Sequence, residues 1–292
     1  MNKYFNISVT QRYVLLICSA LLCYIIGSVM VGIILNTGMT QAKMRIALVI
    51  QDIVMFILPA LIVAVIATRR PADFLCVDRY PSFNNVMLVL MAVIVSAPAM
   101  NVIINWNQNI HLPECMAGIE QWMRQSETSA GEFMNKVTGG NATVGGLIIS
   151  ILIIGVMAGF SEELFFRGTL QRIMQTSRVN PHMAIWTTAI IFSAIHLQFF
   201  GFVPRMLLGA FFGYLVWWSG SLWLAIAGHI FNNSMAIVVM WLYRRSGGNV
   251  NADSLGTGAS TADIITFVAS IALTALILSV LYLRLRRRHS MR

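Results

Sequence analysis

Six stretches of this chain each run for at least 20 residues without an Asp, Glu, Lys or Arg. They are residues 13–42, 81–113, 137–161, 179–204, 206–243 and 264–283. A transmembrane helix needs about 20 consecutive apolar residues. Hydrophobic residues make up 58% of the chain and charged residues only 11%, whereas soluble domains carry about 25% charged residues. The chain is therefore predicted to be an integral membrane protein.

The apolar stretches predict an all-α polytopic bundle of about eight transmembrane helices, forming a single membrane domain over residues 1–292. Residues 46–67 are counted as a further span because Asp52 is their only charged residue. The longest stretch is divided into two spans at Ser219-Gly220-Ser221. The eight predicted spans are 13–35, 46–67, 86–106, 144–168, 183–200, 203–218, 222–243 and 263–285. Residues 1–143 hold the first three helices and an acidic loop (107–143), and residues 263–292 hold the last helix and a basic tail.

The placement of Lys and Arg predicts the orientation, because cytoplasmic loops of membrane proteins are enriched in these residues. With eight spans, both termini share one side, which would carry 13 of the 20 basic residues. The 107–143 loop contains four Glu against one Arg and one Lys. Both termini are thus expected in the cytoplasm and the acidic loop outside, and the protein is expected in a bacterial inner membrane. The basic residues that give the chain its net charge of +9 are expected to contact anionic lipid headgroups rather than nucleic acid.

The segment "GFSEELFFRG" (159–168) places three ionisable residues at the end of an apolar stretch. Ionisable residues within a span cost about 2.5–3.5 kcal/mol and are functional candidates. Glu163 and Arg167 are separated by four positions, so they share a helix face and can pair. Glu162 is rotated by about 100° from Glu163, which leaves its carboxylate free to point elsewhere. The alternative is a helix end that emerges into water with an ordinary surface ion pair.

Two further motifs are predicted to lie at a similar depth. With a turn at Asn180-Pro181, Glu163 and His196 lie 17 and 15 residues from that turn on opposite sides, which places both about 22–26 Å from the tip of the hairpin. His229 and Asn233 are separated by four positions and project from one face of the seventh span. A carboxylate, two imidazoles and an amide are therefore expected to meet in one intramembrane cavity.

This set of side chains allows two hydrolytic mechanisms. Glu162 and His196 can activate a water molecule, while His229 and Asn233 donate hydrogen bonds to a tetrahedral oxyanion. Alternatively, Glu162, His196 and His229 can bind a divalent metal such as zinc, because two His and one carboxylate are a common catalytic zinc set. A serine-type triad is less favoured, since no Ser, Cys or Asp combines convincingly with these histidines.

At these residues the chain resembles the CAAX-protease and bacteriocin-processing family of intramembrane proteases, also called the abortive-infection family. The family signature is EExxxR, FxxxH and HxxxN on separate helices. The matching residues here are Glu162-Glu163 with Arg167, Phe192 with His196, and His229 with Asn233. The three motifs occur in the family's order and lie within residues 144–240, which are predicted to form the catalytic core.

The resemblance implies an intramembrane endopeptidase related to the type II CAAX prenyl endopeptidases, acting on membrane-associated proteins or peptides. It implies that Glu162 and His196 activate water, that His229 and Asn233 form the oxyanion hole, and that Glu163 and Arg167 are structural. Family members are often labelled metalloproteases, but the same residues can support a glutamate-dependent reaction that needs no cofactor, and this second mechanism is favoured here.

Two other functions are compatible with the composition. One is a non-catalytic membrane scaffold, such as a bacteriocin-immunity or sensor-regulating protein. The other is a transporter in which intramembrane Glu and His relay protons, although the chain shows no internal repeat typical of transporters. Asp52 is expected to brace helices from within the bundle.

Overall fold

The chain folds into a bundle of helices, as described by a computed structural model that covers residues 7–139, 143–177, 179–247 and 260–290, with side chains to Arg286. The main helices, numbered in chain order, are α1 (Val9–Asn36), α2 (Gln41–Ala67), α3 (Phe83–Gln108), α4 (Ala117–Thr138), α5 (Val144–Thr176), α6 (Pro181–Ala194), α7 (Phe202–Ser219), α8 (Trp223–Arg245) and α9 (Thr261–Ser290). The described residues contain no strand. The prediction of an all-α polytopic membrane protein is confirmed.

Seven helices of the described chain are long and apolar enough to cross a membrane. The predicted fifth span, 183–200, is only partly helical, because α6 has 14 residues and ends at Ala194. At 1.5 Å per residue α6 is about 21 Å long, shorter than the roughly 30 Å hydrocarbon core. The described residues thus form seven helices of spanning length and one shorter helix, where eight spans of full length were predicted.

Local sequence signals set several helix ends. Ser8 and Gln11 form a capping box at the start of α1, and the Thr143 hydroxyl accepts from the backbone of Gly146 at the start of α5. Asn180 caps α6 and Pro181 is its first residue, which confirms the predicted turn. Gly220 ends α7 with a φ of 64°, a left-handed conformation that glycine adopts without a steric penalty.

The 107–143 loop contains a helix that the sequence analysis did not predict. Helix α4 lies within it and packs on the segment between α6 and α7: Trp122 contacts Phe199, and the Arg124 guanidinium lies 4.4 Å from the ring of Phe200. At its end, the Val137 carbonyl accepts a hydrogen bond from Arg45 of α2. Helix α4 therefore covers the segment that connects α6 to α7, which includes a short 3-10 helix at Phe199–Gly201.

Helices α7 and α8 approach α5 closely. A methyl group added at Gly159 of α5 would lie 3.0 Å from Ile230 of α8, so the two backbones are in near contact. On the opposite side, a methyl group at Gly209 of α7 would lie 2.9 Å from Arg167 Nη2. Small residues let helices approach this closely in membranes, and here they bring the ionisable residues of α5 against α7 and α8.

Some sequence features lie outside the described residues. They are the loop residues 248–259 and three of the basic residues used for the orientation, Lys3, Arg178 and Arg292. Helix α9 extends through the backbone of the basic tail as far as Ser290.

Candidate active site

Glu162 and His229 face each other between α5 and α8. Glu162 Oε2 lies 3.6 Å from His229 Nε2, and the side chains are only 15% and 5% exposed. A carboxylate and an imidazole at this separation are too far apart for a good hydrogen bond but interact strongly in a low-dielectric interior. The pair can hold a proton or a polar molecule between its two members.

Glu163 links the same histidine to Arg167. Its Oε1 atom accepts hydrogen bonds from Arg167 Nη1 at 2.6 Å and lies 2.8 Å from His229 Nδ1. Arg167 Nη2 in turn donates to the Gly209 carbonyl at 2.9 Å. All three side chains are buried. The four-residue spacing does produce the Glu163–Arg167 pair, and the tertiary structure gives Glu163 a second contact that orients the His229 ring.

Phe192 lies at the centre of these residues. Its ring centroid is 5.1 Å from that of His196 and 5.9 Å from that of His229, both edge-to-face, and Arg167 lies over its face at 4.6 Å. On the other side of His229, the ring of Phe212 stacks at 5.2 Å. Phe192 was identified from the sequence only as the first residue of the FxxxH motif, and Phe212 was not singled out. The first position of FxxxH was the available signal for Phe192, because residues four apart share a helix face.

His196 lies just beyond the end of α6, in a turn rather than within a helix. Its Nδ1 atom is 2.8 Å from the Phe192 carbonyl, and Leu197, the next residue, has a φ of 52°. Leucine in this region is strained, and such strain is frequently found at functional sites. When Nδ1–H donates to the carbonyl, Nε2 is left as a hydrogen-bond acceptor.

Asn233 extends the site along α8. Its Nδ2 atom donates to the Ile154 carbonyl at 3.2 Å, and its Oδ1 atom accepts from Asn232 Nδ2 at 3.3 Å. Ile154 lies in a π-helical segment of α5, Ile151–Met157. In a π-helical turn some backbone carbonyls lack their regular α-helical hydrogen bond, and such turns are frequent at functional sites. Since an amide has two N–H donors, one remains for a ligand.

Asp52 is a second buried carboxylate next to the site. It begins a π-helical segment of α2 (Asp52–Ile57) and is only 6% exposed. Its side chain is hydrogen-bonded to Ser161 and interacts electrostatically with Glu162. Asp52 was expected to brace helices, and its contact with Ser161 places a second carboxyl group beside the candidate base.

The predicted metal set, Glu162, His196 and His229, does not form a metal-binding cluster. Across the part of the chain that the structure describes, no group of three or more His, Cys, Asp or Glu is arranged to hold a metal ion. The two ring nitrogens of His229 instead face Glu163 and Glu162. The donor set therefore does not fit a resident zinc, whose protein ligands lie about 2.0–2.3 Å from the ion.

Comparison with known proteins supports a family for this part of the chain. Residues 144–235 match the Rce1-like family, described as type II CAAX prenyl endopeptidase Rce1-like. The matched segment contains Glu162, Glu163, Arg167, His196, His229 and Asn233. The resemblance expected from the three motifs is thus confirmed over about a third of the chain, as a similarity of this segment to the Rce1-like family.

A curated relative matches over a similarly short region. The chain is 26% identical over 83 residues to the uncharacterized protein YpbD of Bacillus subtilis (strain 168), which covers 27% of this chain and 39% of the relative. The chain thus spans about two fifths of the length of the curated relative that it matches. No solved structure matches the chain.

Proposed function

We propose that this protein is an intramembrane endopeptidase that hydrolyses peptide bonds of membrane-associated proteins or peptides. The observation that carries the proposal is the buried Glu162–His229 pair, 3.6 Å apart, inside the segment that matches the type II CAAX prenyl endopeptidase family. An intramembrane carboxylate that faces an imidazole suits proton transfer, since a charge in this environment is costly unless it has a function.

In the proposed reaction Glu162 is the general base. Glu162 takes a proton from a water molecule, and the resulting hydroxide oxygen bonds to the carbonyl carbon of the scissile peptide. His196 Nε2 accepts a hydrogen bond from the same water and orients it. When the tetrahedral intermediate collapses, the C–N bond breaks and the proton on Glu162 passes to the leaving amine.

His229 and Asn233 are the proposed oxyanion donors. When both ring nitrogens of His229 carry protons, Nδ1–H donates to Glu163, which lies 2.8 Å away, and Nε2–H can donate to the oxyanion. Asn233 uses one N–H for the Ile154 carbonyl and has a second for the oxyanion. Donors held in place before the reaction stabilise developing charge at little reorganisation cost. Glu163 and Arg167 position this histidine and do not act on the substrate.

The proposed mechanism requires no metal and no other cofactor. It uses the side chains in the geometry described above, in which Glu163 and Glu162 face both nitrogens of His229. The substrate is expected to reach the site from the lipid bilayer, with both termini of the protease in the cytoplasm and nucleic acid playing no part.

The proposal is tested by comparing membrane proteomes of cells that carry the wild type or Glu162→Ala. Peptide termini present only with the wild type identify substrates, which are then presented to purified protein in phosphatidylcholine nanodiscs. Glu162→Ala is expected to abolish cleavage, with thermal unfolding unchanged. Glu114→Ala, at an exposed position of the acidic loop, is the matched control and is expected to cleave normally.

Three results would contradict the proposal. Wild-type-like cleavage by Glu162→Ala would show that Glu162 is not the general base. The absence of any wild-type-dependent terminus, with the cellular phenotype kept in both Glu162→Ala and His196→Ala, favours the scaffold function. If exhaustive chelation abolishes cleavage and added zinc restores it, the reaction depends on a metal.

A further inference from the structure

A small cavity lies between α4, α5 and α8, at the end of the bundle that carries α4. Its volume is about 10 Å³, which holds about one water molecule. Polar groups from all three helices line it: Thr138 at the end of α4, Thr143 and Ser150 of α5, and Trp241 and Arg244 of α8. This lining suits water better than a lipid chain.

The outer end of the cavity is formed by the Arg244 guanidinium. Its Nη1 atom donates to Thr138 Oγ1 and to the Gly139 carbonyl, both at 2.9 Å, and its Nη2 atom donates to Asn135 Oδ1 at 2.7 Å, where the contact is exposed. The last carbonyls of a helix have no partner within that helix, so Arg244 both satisfies the end of α4 and fixes it to α8. The polar opening of the cavity is therefore held in place.

Two polar groups face the interior of the cavity. Trp241 Nε1 is buried and has no hydrogen-bond partner among the described residues, although a buried indole N–H normally bonds an acceptor. Ser150 is only 2% exposed and donates to the Gly146 carbonyl at 2.8 Å, and its oxygen can still accept. A water molecule between these groups would satisfy the indole donor.

The inner end of the cavity lies about one helical turn from the candidate active site. On α8, Ile237 lines the cavity and shares a face with Asn233 and His229, at successive four-residue spacings. On α5, Ser150 precedes Ile154 by four residues, and the Ile154 carbonyl accepts from Asn233. Four residues of helix span about 6 Å. Both walls of the cavity therefore lead to the Asn233 amide.

The intervening interface contains one apolar constriction. Ile237 is 6% exposed and lies between the cavity and Asn233 along α8. Beside it, a methyl group added at Gly155 would lie 2.5 Å from Ser234 Oγ, so the Ser234 hydroxyl faces the π-helical segment of α5. Polar side chains inside spans normally face the bundle interior or a water-filled path.

We propose that water reaches the candidate active site along this α5–α8 interface, from the end of the bundle that carries α4, and that Ile237 is the constriction. This inference rests on the proposed endopeptidase function for the fate of the water, because each peptide bond that is hydrolysed consumes one water molecule. It assigns a role to the α4–α8 contacts, which lie outside the three motifs.

The test measures the reaction of introduced thiols with Ag⁺, a thiol-reactive ion of nearly the size of water, in nitrate buffer. Full-length Ser150→Cys and Leu152→Cys are treated in spheroplasts and in inside-out vesicles. Thiols that escape Ag⁺ are alkylated after denaturation and counted by peptide mass spectrometry. The native Cys115 is exposed in the acidic segment, and the native Cys18 is exposed on the apolar α1, so the two report aqueous and lipid surfaces.

Ser150→Cys is expected to react from the face on which Cys115 reacts, although Ser150 is buried. Leu152→Cys is the matched control, because Leu152 is 55% exposed on the outer surface of the same span, and its thiol is expected to stay unreacted, like Cys18. An unreactive Ser150→Cys, or equal reaction of the two variants, would overturn the route.

A deeper thiol tests the constriction. Ser234→Cys is expected to react from the same face, more slowly than Ser150→Cys. Adding Ile237→Ala is expected to remove that difference, because it leaves a cavity in place of the larger side chain. Faster reaction of Ser234→Cys from the opposite face contradicts the route, and an unchanged rate with Ile237→Ala contradicts the constriction. Where Ile237→Ala does not fold, the comparison of Ser150→Cys with Leu152→Cys decides.

The labelling result is independent of the proposed function, since Ag⁺ reacts with the thiols whether or not a peptide is cleaved. Accessible thiols in a protein that cleaves no substrate contradict the endopeptidase proposal and leave the water route in place. Cleavage by a protein whose Ser150→Cys and Ser234→Cys variants are inaccessible contradicts the route alone.

Discussion

Glu163 Oε1 lies 2.8 Å from His229 Nδ1, although 66 residues separate the two along the chain and both side chains are buried. The same oxygen accepts from Arg167 at 2.6 Å. One carboxylate therefore neutralises a buried guanidinium and orients the imidazole that faces Glu162. The stability of the bundle and the geometry of the candidate site depend on the same three side chains.

Glu163→Gln is expected to lower the free energy of unfolding by about 3–5 kcal/mol, because it leaves Arg167 buried without its carboxylate. Denaturant unfolding in mild detergent, followed by circular dichroism, measures the change. The double variant Glu163→Leu with Arg167→Met removes both charges and is expected to be more stable than the single variant. A single variant as stable as the wild type would show that the pair contributes little.

Asn233→Ala is expected to reduce kcat by about 10²–10³-fold while KM changes little, because an oxyanion donor acts mainly in the transition state. Steady-state kinetics on an identified substrate give the two constants separately. Asn232→Ala is the matched comparison and is expected to have the smaller effect, since Asn232 only donates to Asn233. An effect of Asn233→Ala on KM alone would assign the amide to ground-state binding.

Gly159→Ala is expected to destabilise the protein by about 1–3 kcal/mol, as overpacking typically does. The added methyl group would meet Ile230 side-chain and backbone atoms at 3.0–3.3 Å, which forces α5 and α8 apart and separates Glu162 from His229. Thermal unfolding and cleavage are measured together. Gly32→Ala, at a helical position with no atom within 4 Å, is the control and is expected to be neutral or up to about 1 kcal/mol stabilising. Equal behaviour of the two variants would contradict close packing at Gly159.

The acidic segment that contains α4 is expected to resist acid. The Leu112 backbone N–H and the side chains of Arg124 and His111 donate to Glu120 and lower the pKa of that carboxyl from 4.5 to about 2. A carboxyl with a depressed folded-state pKa adds stability that is fully present above pH 4.5 and is lost as the pH falls through about 2. Hydrogen exchange, corrected for intrinsic rates, is expected to show protection of the Leu112 amide down to about pH 3.

Glu120→Gln supplies the reference for that measurement, because it cannot titrate. Its Leu112 amide is expected to be less protected at neutral pH and to change little between pH 7 and pH 3. A wild-type loss of protection centred near pH 4.5 would show that Glu120 titrates like an ordinary carboxyl.

The predicted orientation is tested by labelling with a membrane-impermeant maleimide. Cys115 lies in the acidic segment and is exposed, whereas Cys76 is buried, and burial raises the pKa of the Cys76 thiol, which slows its reaction. Cys115 is expected to be labelled in spheroplasts, and Cys115→Ser is expected to abolish that labelling. Labelling of Cys115 only in inside-out vesicles would reverse the orientation.

Local patterns predicted the parts of the fold that depend on neighbouring residues. Asn180-Pro181 starts a helix, Gly220 ends one, and residues 163 and 167 pair, because caps and four-residue spacings act within one or two helical turns. The number of spanning-length helices was less predictable. Residues 183–200 contain no Asp, Glu, Lys or Arg, but α6 ends at Ala194, and His196 lies in the turn that follows.

The amphipathic helix α4 was missed because its length and charge resembled a polar loop, and only its packing on Phe199 and Phe200 gives it a defined place. Arg205 was not singled out because it lies at the end of one charge-free stretch and the start of another. A charge in that position indicates a boundary between spans. In the folded hairpin, however, Arg205 donates to Gln198, two residues from His196.

The sequence by itself determined the membrane-embedded class, most helix ends and the residues that form the three motifs, since hydrophobic length, capping and helical spacing are local properties. Only the tertiary structure decided that Glu163 contacts His229 and that Asn233 donates to Ile154. These contacts join residues 66 and 79 positions apart. They depend on how closely helices approach at Gly159 and Gly209, which hydrophobic patterning does not encode.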